Sequence, residues 1–171
     1  MQLTRAADYA VRVMIYLAAM PRDARASLVV LAIATATPES FLSKVLQALA
    51  RAGLISSHRG QAGGFQISAL GQESSIRDVI EAIDGPVSLN VCLNAGRPCS
   101  RKSWCPAHPV WAKAQSALLD VLGGARIASL AAGGAVVDIS TRFPLLFERQ
   151  PSPEPSRGPV PPSKGAHKRD R

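Results

Sequence analysis

All three cysteines of this 171-residue chain fall in one short stretch, at Cys92, Cys99 and Cys105, and His108 follows closely. Thiolates are soft ligands that suit iron–sulfur clusters and zinc, and an imidazole nitrogen commonly completes such a ligand set. Glycine and proline residues between the cysteines favour a loop that can wrap a small inorganic group. The spacing therefore predicts a metal or iron–sulfur site in this loop.

The charge of the chain points to an anionic partner. Its formal net charge is +8, and no basic amphipathic helix stands out, so nucleic acid is favoured over an acidic lipid surface. The net positive charge is shared equally between two parts of the chain. Residues 1–141 carry 13 Lys and Arg against 9 Asp and Glu, and residues 142–171 carry 7 against 3, so each part has a net charge of +4. DNA binding would then depend on where the positive charges lie rather than on a uniformly basic surface.

The length suggests one domain, or a compact domain with an appendage. No secretory signal or membrane span is recognisable. An odd number of cysteines without an export signal fits a reducing compartment better than a disulfide framework. These features predict a cytoplasmic protein.

Helical periodicity predicts three helices in the first third of the chain. The first begins after an N-cap at Thr4 and ends near Pro21, the second covers residues 28–36, and the third covers residues 40–52 after a tight turn. The outward face of the third helix is predicted to carry polar and basic groups without a large apolar residue: Glu39, Ser40, Ser43, Lys44 and Gln47. This pattern is typical of a recognition helix in a DNA major groove, although an ordinary solvated face has the same composition.

A glycine-rich tip at residues 60–64 lies between two short alternating segments, which predicts a hairpin directly after the third helix. A helix-turn-helix followed by such a hairpin is the winged-helix arrangement. Arg59, next to Gly60, would lie at the base of this wing, where a long cation can enter a narrow minor groove. The predicted fold is mainly α with a small β wing.

The rest of the chain divides by pattern. An amphipathic helix over 76–83 completes a DNA-binding domain of residues 1–85, and the cysteine loop covers 86–108. Apolar residues with Trp111 as an anchor then predict a long helix, interrupted at Gly123 and Gly124, within a region of residues 109–132. This helix is predicted to form a homodimer, the alternative being packing on its own domain. Residues 133–150 have no clear period, and residues 151–171 read as a disordered, basic, proline-rich tail.

Several motifs occur in order along the chain and together resemble the Rrf2 family of bacterial winged-helix, iron–sulfur transcriptional regulators. The resemblance covers roughly residues 1–132 and is carried by the following segments: residues 1–4, 8–10, 38–46, 51–54, 59–64 and 78–83, with the three spaced cysteines. It implies a homodimeric repressor or activator that binds an operator in double-stranded DNA, with a cluster loop beside a long dimerisation helix.

The resemblance also implies the ligands. Cys92, Cys99 and Cys105 match the cluster cysteines, and two residues compete for the fourth position. His108 matches members that hold a 2Fe–2S cluster and is preferred because it lies in the same loop. Asp8 matches members in which a first-helix carboxylate reaches a 4Fe–4S cluster across the dimer. A nitrogen or oxygen ligand binds more weakly than a thiolate, which suits a sensor of redox state or nitric oxide.

The chain departs from the family pattern at the turn of the helix-turn-helix. Ala36 and Thr37 stand where the family commonly has a glycine and an aliphatic residue, and Val30 replaces a usual acidic position. A DNA-binding module with a structural zinc remains an alternative, because three thiolates and a histidine also suit that ion. An enzyme with a reactive cysteine is disfavoured, since no CxxC spacing or nucleophile–base pair is visible.

Overall fold

The computed structural model describes residues 3–60, 63–94 and 99–133, and these form a mainly helical fold with one small antiparallel sheet. The elements, in chain order, are α1 (Arg5–Ala19), α2 (Leu28–Thr35), α3 (Glu39–Arg51), β1 (Ile55–His58), β2 (Gly64–Ile67), α4 (Ala69–Glu73), α5 (Ile76–Asp84), a 3₁₀ turn (Val91–Leu93), α6 (His108–Gly124) and α7 (Ile127–Gly133). The predicted fold class is confirmed.

The first helix begins where the sequence predicts. The Thr4 hydroxyl accepts a hydrogen bond from the Ala7 backbone N–H and also donates to the Asp84 carboxylate at 2.7 Å. The capping residue of α1 therefore ties this helix to the end of α5. The fully buried Val13 and Met14 place α1 at the centre of the main core, against the buried stripes of α2 and α3.

The turn between α2 and α3 contains the one non-glycine residue with a positive φ in the described part of the chain. Ala36 has φ 51° and ψ 45°, the left-handed region that side chains with a Cβ rarely adopt. Two buried threonines flank it, and the Thr35 hydroxyl hydrogen-bonds to the Leu31 carbonyl at 2.7 Å and lies 2.9 Å from the Thr37 hydroxyl. The hydrogen bonds of Thr35 and Thr37 stabilise the turn, in which the left-handed conformation of Ala36 is strained.

The wing forms as predicted and gains a third contact that the sequence did not reveal. β1 and β2 pair in register, with Ile55 opposite Ile67 and His58 opposite Gly64. Ala26, before α2, exchanges both backbone hydrogen bonds with Phe65, at 2.8 and 3.0 Å. A Cβ on Gly64 would lie 2.8 Å from the Ala26 carbonyl oxygen, so this close approach requires glycine.

The fifth helix is fixed by a capping box. The Ser75 side chain accepts from the Asp78 backbone, and the Asp78 carboxylate accepts from the Ser75 backbone and hydroxyl. These hydrogen bonds lower the pKa of Asp78 below its usual value. The helix beyond it packs on α1, and the fully buried Ile127 fixes α7 in the same core.

The structure differs from the sequence prediction in one element and agrees with it at the end of the long helix. The helix α4 is five residues long and was missed, because so short a segment shows no period. The break predicted at Gly123 and Gly124 is confirmed, because α6 ends at Gly124 with a cap at Ala125 and α7 begins at Ile127. The predicted disordered tail lies outside the described residues.

No single helix within residues 3–60, 63–94 and 99–133 is long and apolar enough to cross a membrane. The helices α2 and α3 reach that length and composition only when taken together, across a bend of 106°.

The strained turn gives a direct test of the fold. We expect Ala36→Gly to raise the free energy of unfolding by about 1 kcal/mol, because glycine adopts the left-handed region without a steric cost. Ala34→Gly, within the helix α2, should instead lower it by about 1 kcal/mol. Urea unfolding followed by circular dichroism measures both. Equal destabilisation by the two substitutions would contradict strain at Ala36.

Candidate cluster site and nucleic-acid interface

The structure brings the four ligand candidates of the loop into the wall of one cavity. The cavity is about 540 Å³, and its lining includes Cys92, Cys99, Cys105, His108 and Trp111. Each of the three cysteines is half-buried, and none of them forms a disulfide. The loop therefore presents its soft ligands toward a shared space rather than spreading them over the surface.

Short backbone turns fix the second half of the loop. The Lys102 N–H donates to the Cys99 carbonyl at 3.1 Å, the Cys105 N–H to the Arg101 carbonyl at 2.8 Å, and the His108 N–H to the Cys105 carbonyl at 3.1 Å. His108 is the first residue of α6 and Pro109 follows it, a position where a missing N–H costs the helix nothing. Cys105 and His108 are thus held at a fixed spacing by the start of this helix.

The Nε2 atom of His108 is buried without a hydrogen-bond partner, and it is the one such side-chain atom in the described part of the chain. An unpaired buried polar atom costs about 1–3 kcal/mol, so nearly all are satisfied in folded proteins. A neutral imidazole nitrogen that makes no hydrogen bond is available as a metal ligand. The donor set and this unpaired atom fit a soft metal group.

The four side chains do not converge on one point. Within residues 3–60, 63–94 and 99–133, no three His, Cys, Asp or Glu side chains lie close enough together to hold a single metal ion. Binding by all four ligands therefore requires either a group with more than one metal atom or a closer approach of the loop.

The surroundings of the cavity carry positive charge. Arg101 and Lys102 contribute to its wall, and the N-terminus of α6 adds the positive end of a helix dipole. The Arg101 guanidinium also lies over the Trp104 ring, 5.8 Å from its centroid. An anionic group bound in this cavity would therefore lie beside positive charge.

Asp8 lies outside this cavity in the same chain. It belongs to the exposed face of α1, and its carboxylate pairs with the Arg12 guanidinium at 2.7 Å. The Arg12 group also lies 5.7 Å from the centroid of the Tyr9 ring. A role for Asp8 as the fourth ligand stays a prediction, and it requires a second subunit.

The recognition-helix candidates share one outward surface of α3. Glu39, Ser40, Lys44 and Gln47 are exposed and Ser43 is half-buried, while Leu42, Val45, Leu46 and Leu49 are buried behind them. The structure also places one large apolar residue on this side of α3, where the sequence predicts none. Phe41 is 40 % exposed at the edge of the surface and packs edge-on against Tyr9 of α1.

Arg59 and Gly60 lie at the exposed tip of the wing, directly after β1 ends at His58, and not at its base as predicted. Gly60 has φ 103°, and a Cβ on Gly63 would lie 2.5 Å from the His58 carbonyl oxygen. The tight tip therefore depends on its glycines, and it leaves the Arg59 side chain solvent-exposed. Residues 61 and 62 of the predicted tip lie outside the described residues.

The long helix α6 has two different apolar faces and no fully buried residue. The half-buried residues Leu118, Leu119 and Leu122 pack against Ala7 of α1, Ile80 of α5 and Val87 of the cysteine loop. The part of the fold before this loop, from α1 to α5, is called the body here. The second face is exposed and has the 4–3–4 spacing of a coiled-coil seam: Val110, Ala114, Ala117 and Val121. The predicted stripe thus divides, with Leu118 and Leu122 on the body and the other residues facing solvent.

Comparison with known proteins identifies the family. The model of Rrf2, described as an iron-dependent transcriptional regulator, matches residues 3–133. The chain belongs to the Rrf2 family. The transcriptional regulator IscR of Vibrio vulnificus is 30% identical over 142 residues, 83% of this chain and 84% of the relative. Protein aau3 of Rhizobium meliloti is 33% identical over 138 residues, 76% and 84% of the two chains.

The fold of this Rrf2 chain matches a solved regulator. The structure of CymR, the global cysteine regulator of B. subtilis, superposes with a TM-score of 0.64 at 25% identity, covering 78% of this chain and 98% of that one. The Rrf2 chain is a DNA-binding transcriptional regulator of winged-helix fold, and its relatives are regulators rather than enzymes.

Proposed function

We propose that this regulator changes its operator affinity according to an iron–sulfur cluster held by Cys92, Cys99, Cys105 and His108. The observation that carries the proposal is the buried, unpaired Nε2 of His108 in the wall of a cavity that three thiols also line. The description of the family as iron-dependent regulators supports an iron-containing group. Such a cluster supplies a redox- and nitric-oxide-sensitive centre with one ligand weaker than the thiolates.

Different residues have different roles in binding the cluster. The thiols supply soft ligands, and the start of α6 orients the His108 imidazole. Arg101 and Lys102 offset the negative charge that thiolates bring to the cavity. One histidine in the same loop favours a 2Fe–2S cluster, whereas a 4Fe–4S cluster would follow if the partner subunit contributed Asp8 in place of His108.

Operator binding is assigned to two elements. The outward residues of α3 enter the major groove, where Lys44 and Gln47 reach base edges, and Arg59 of the wing enters the adjacent minor groove. The exposed Phe41 lies beside this surface, and its contact with Tyr9 joins α3 to α1. We infer that the regulator acts in the cytoplasm, where its operator DNA is found.

We infer further that the regulator is a homodimer formed by α6. Val110 and Val121 are 64 % and 71 % exposed, respectively, and lie on the face that turns away from the body. An apolar seam of this length on a soluble helix is normally covered by a partner helix. Two-fold symmetry would also present two recognition helices to a palindromic operator.

The cluster proposal predicts the colour of the protein. We expect the chain purified anaerobically to absorb visible light, and Cys99→Ala to abolish this absorbance while leaving the circular dichroism of the helices unchanged. Ser103→Ala, in the same loop, is the matched control and should keep the spectrum. His108→Ala and Asp8→Ala decide the fourth ligand, since only the true ligand alters the spectrum when replaced. A colourless protein with stoichiometric zinc would overturn the cluster assignment in favour of a structural zinc site.

The DNA interface predicts a local effect of one wing residue. We expect Arg59→Ala to weaken binding by about tenfold, because it removes a cation from a narrow groove. The probe is a duplex selected from a random pool by the wild-type regulator, and fluorescence anisotropy gives the dissociation constants. Arg126→Ala, which removes the same charge beside Glu73 on another side of the fold, should change binding by less than about twofold. Equal losses in both variants would reject the assigned role of the wing.

The dimer seam predicts a change of mass. We expect Val121→Glu to shift the regulator toward monomer, because a carboxylate in an apolar seam is costly to bury. Ser116→Glu places the same group on an exposed face of α6 away from the seam and should leave the dimer intact. Analytical ultracentrifugation measures both masses. A wild-type monomer, or a Val121→Glu dimer as stable as wild type, would contradict the seam.

A further inference from the structure

The segment of residues 87–91, here called the lead-in segment, delivers Cys92 to the cavity along the side of α6. Val87 is buried with Ala7 and Ile80, and the half-buried leucines of the second half of α6 cover this cluster. At the other end of the segment, Cys92 shares the cavity wall with His108 and Trp111 at the start of α6. The lead-in segment thus runs antiparallel to this helix.

The dimensions of the two elements agree with this arrangement. From Val87 to Cys92 the chain advances five residues, at most about 17 Å. From Leu119 back to His108 the helix covers eleven residues, about 16 Å at its regular rise. A segment of this length can therefore reach from its buried anchor to the first ligand.

Gln115 contacts the middle of this span. Its side-chain oxygen accepts a hydrogen bond from the Leu89 backbone N–H at 3.1 Å, and both residues are partly buried. Gln115 lies seven residues after His108, two turns along the same face of α6. One face of one helix therefore holds both the candidate nitrogen ligand and the group that anchors the path to the first thiol.

The remaining contacts near Cys92 are local to the segment. Asn90 accepts from the Val91 N–H through its side chain at 2.8 Å and from the Leu93 N–H through its carbonyl at 3.0 Å. These bonds shape the 3₁₀ turn that contains Cys92 but do not reach α6. Among the hydrogen bonds that the described residues 87–93 make, the one from Leu89 to Gln115 is the one that reaches this helix.

We propose that Gln115 is a positioning residue for the cluster site: by holding Leu89, it sets the distance between Cys92 and His108. This rests on the proposed function, because the distance matters only if both residues bind one group. The side chain does not touch the cavity, so its effect on the ligands is indirect. Without this hydrogen bond, the lead-in segment can move away from α6 and take the Cys92 thiol out of reach of the other ligands.

The test uses the full-length regulator and three variants. Gln115→Met keeps the length of the side chain and removes the acceptor, Gln115→Glu keeps an acceptor oxygen, and Ser116→Met places the same apolar group on the exposed polar face of α6. Thermal melts establish that each variant folds, and Gln115→Ala replaces Gln115→Met if the latter does not. Two quantities are measured: hydrogen exchange of the Leu89 amide in the apo-protein, and the rate at which a chelator bleaches the reconstituted cluster.

In Gln115→Met we expect the Leu89 amide to exchange, and the cluster to bleach, about fivefold faster than in wild type, the factor that one ordinary hydrogen bond represents. Gln115→Glu and Ser116→Met should stay within about twofold of wild type, because each leaves an acceptor for the Leu89 amide.

Two results would overturn the inference. The first is a rate of Leu89 exchange or of cluster bleaching in Gln115→Met that equals the wild-type rate. The second is an acceleration of these rates in Gln115→Glu that equals the acceleration in Gln115→Met. A wild-type chain that takes up no cluster is a separate outcome, which rejects the proposed function and the positioning role with it.

Discussion

The attachment of α6 to the rest of the molecule depends on one small apolar cluster. Because α6 has no fully buried residue, Ala7, Ile80 and Val87 supply the buried surface on which its leucines rest. These three residues come from α1, from α5 and from the beginning of the cluster loop. A movement of Val87 with the loop would therefore change the packing between α6 and the body.

This arrangement gives the proposed cluster site a physical route to the proposed DNA-binding surface. Val87 packs on Ala7 of α1, and two residues along the same helix Tyr9 contacts Phe41 at the edge of α3. The Arg12 guanidinium, next to Tyr9, donates to the Thr35 carbonyl at the turn between α2 and α3. A shift of the loop can thus reach the recognition helix through packed side chains, without unfolding the main core.

The main core itself is held together more firmly than the loop. Residues of α1, α2, α3 and the wing bury a continuous aliphatic cluster, and the Ala26–Phe65 bridge ties the wing to the start of α2. The thiols, in contrast, are half-buried, and the loop that carries them is held mainly by local turns. A firmly packed body and a half-buried loop are the combination expected of the ligand-controlled regulator that we propose.

The sequence by itself determined the parts of the protein that obey local rules. Periodicity and caps located α1, α2, α3 and α5, the glycines located the wing, and the spacing of three cysteines located the ligand loop. The short helix α4 was missed because five residues show no period, and the Ala26–Phe65 bridge and the Phe41–Tyr9 contact were missed because they join residues far apart in the chain.

The tertiary structure alone decided how the loop is held and which of the candidate ligands share a cavity. It left Asp8 paired with Arg12 on α1 and placed His108 with the three thiols. It also divided the apolar stripe of α6 into a face on the body and an exposed seam, and it revealed the Gln115 contact to Leu89. Residue types state what a side chain can bind, but only packing determines which partners it meets.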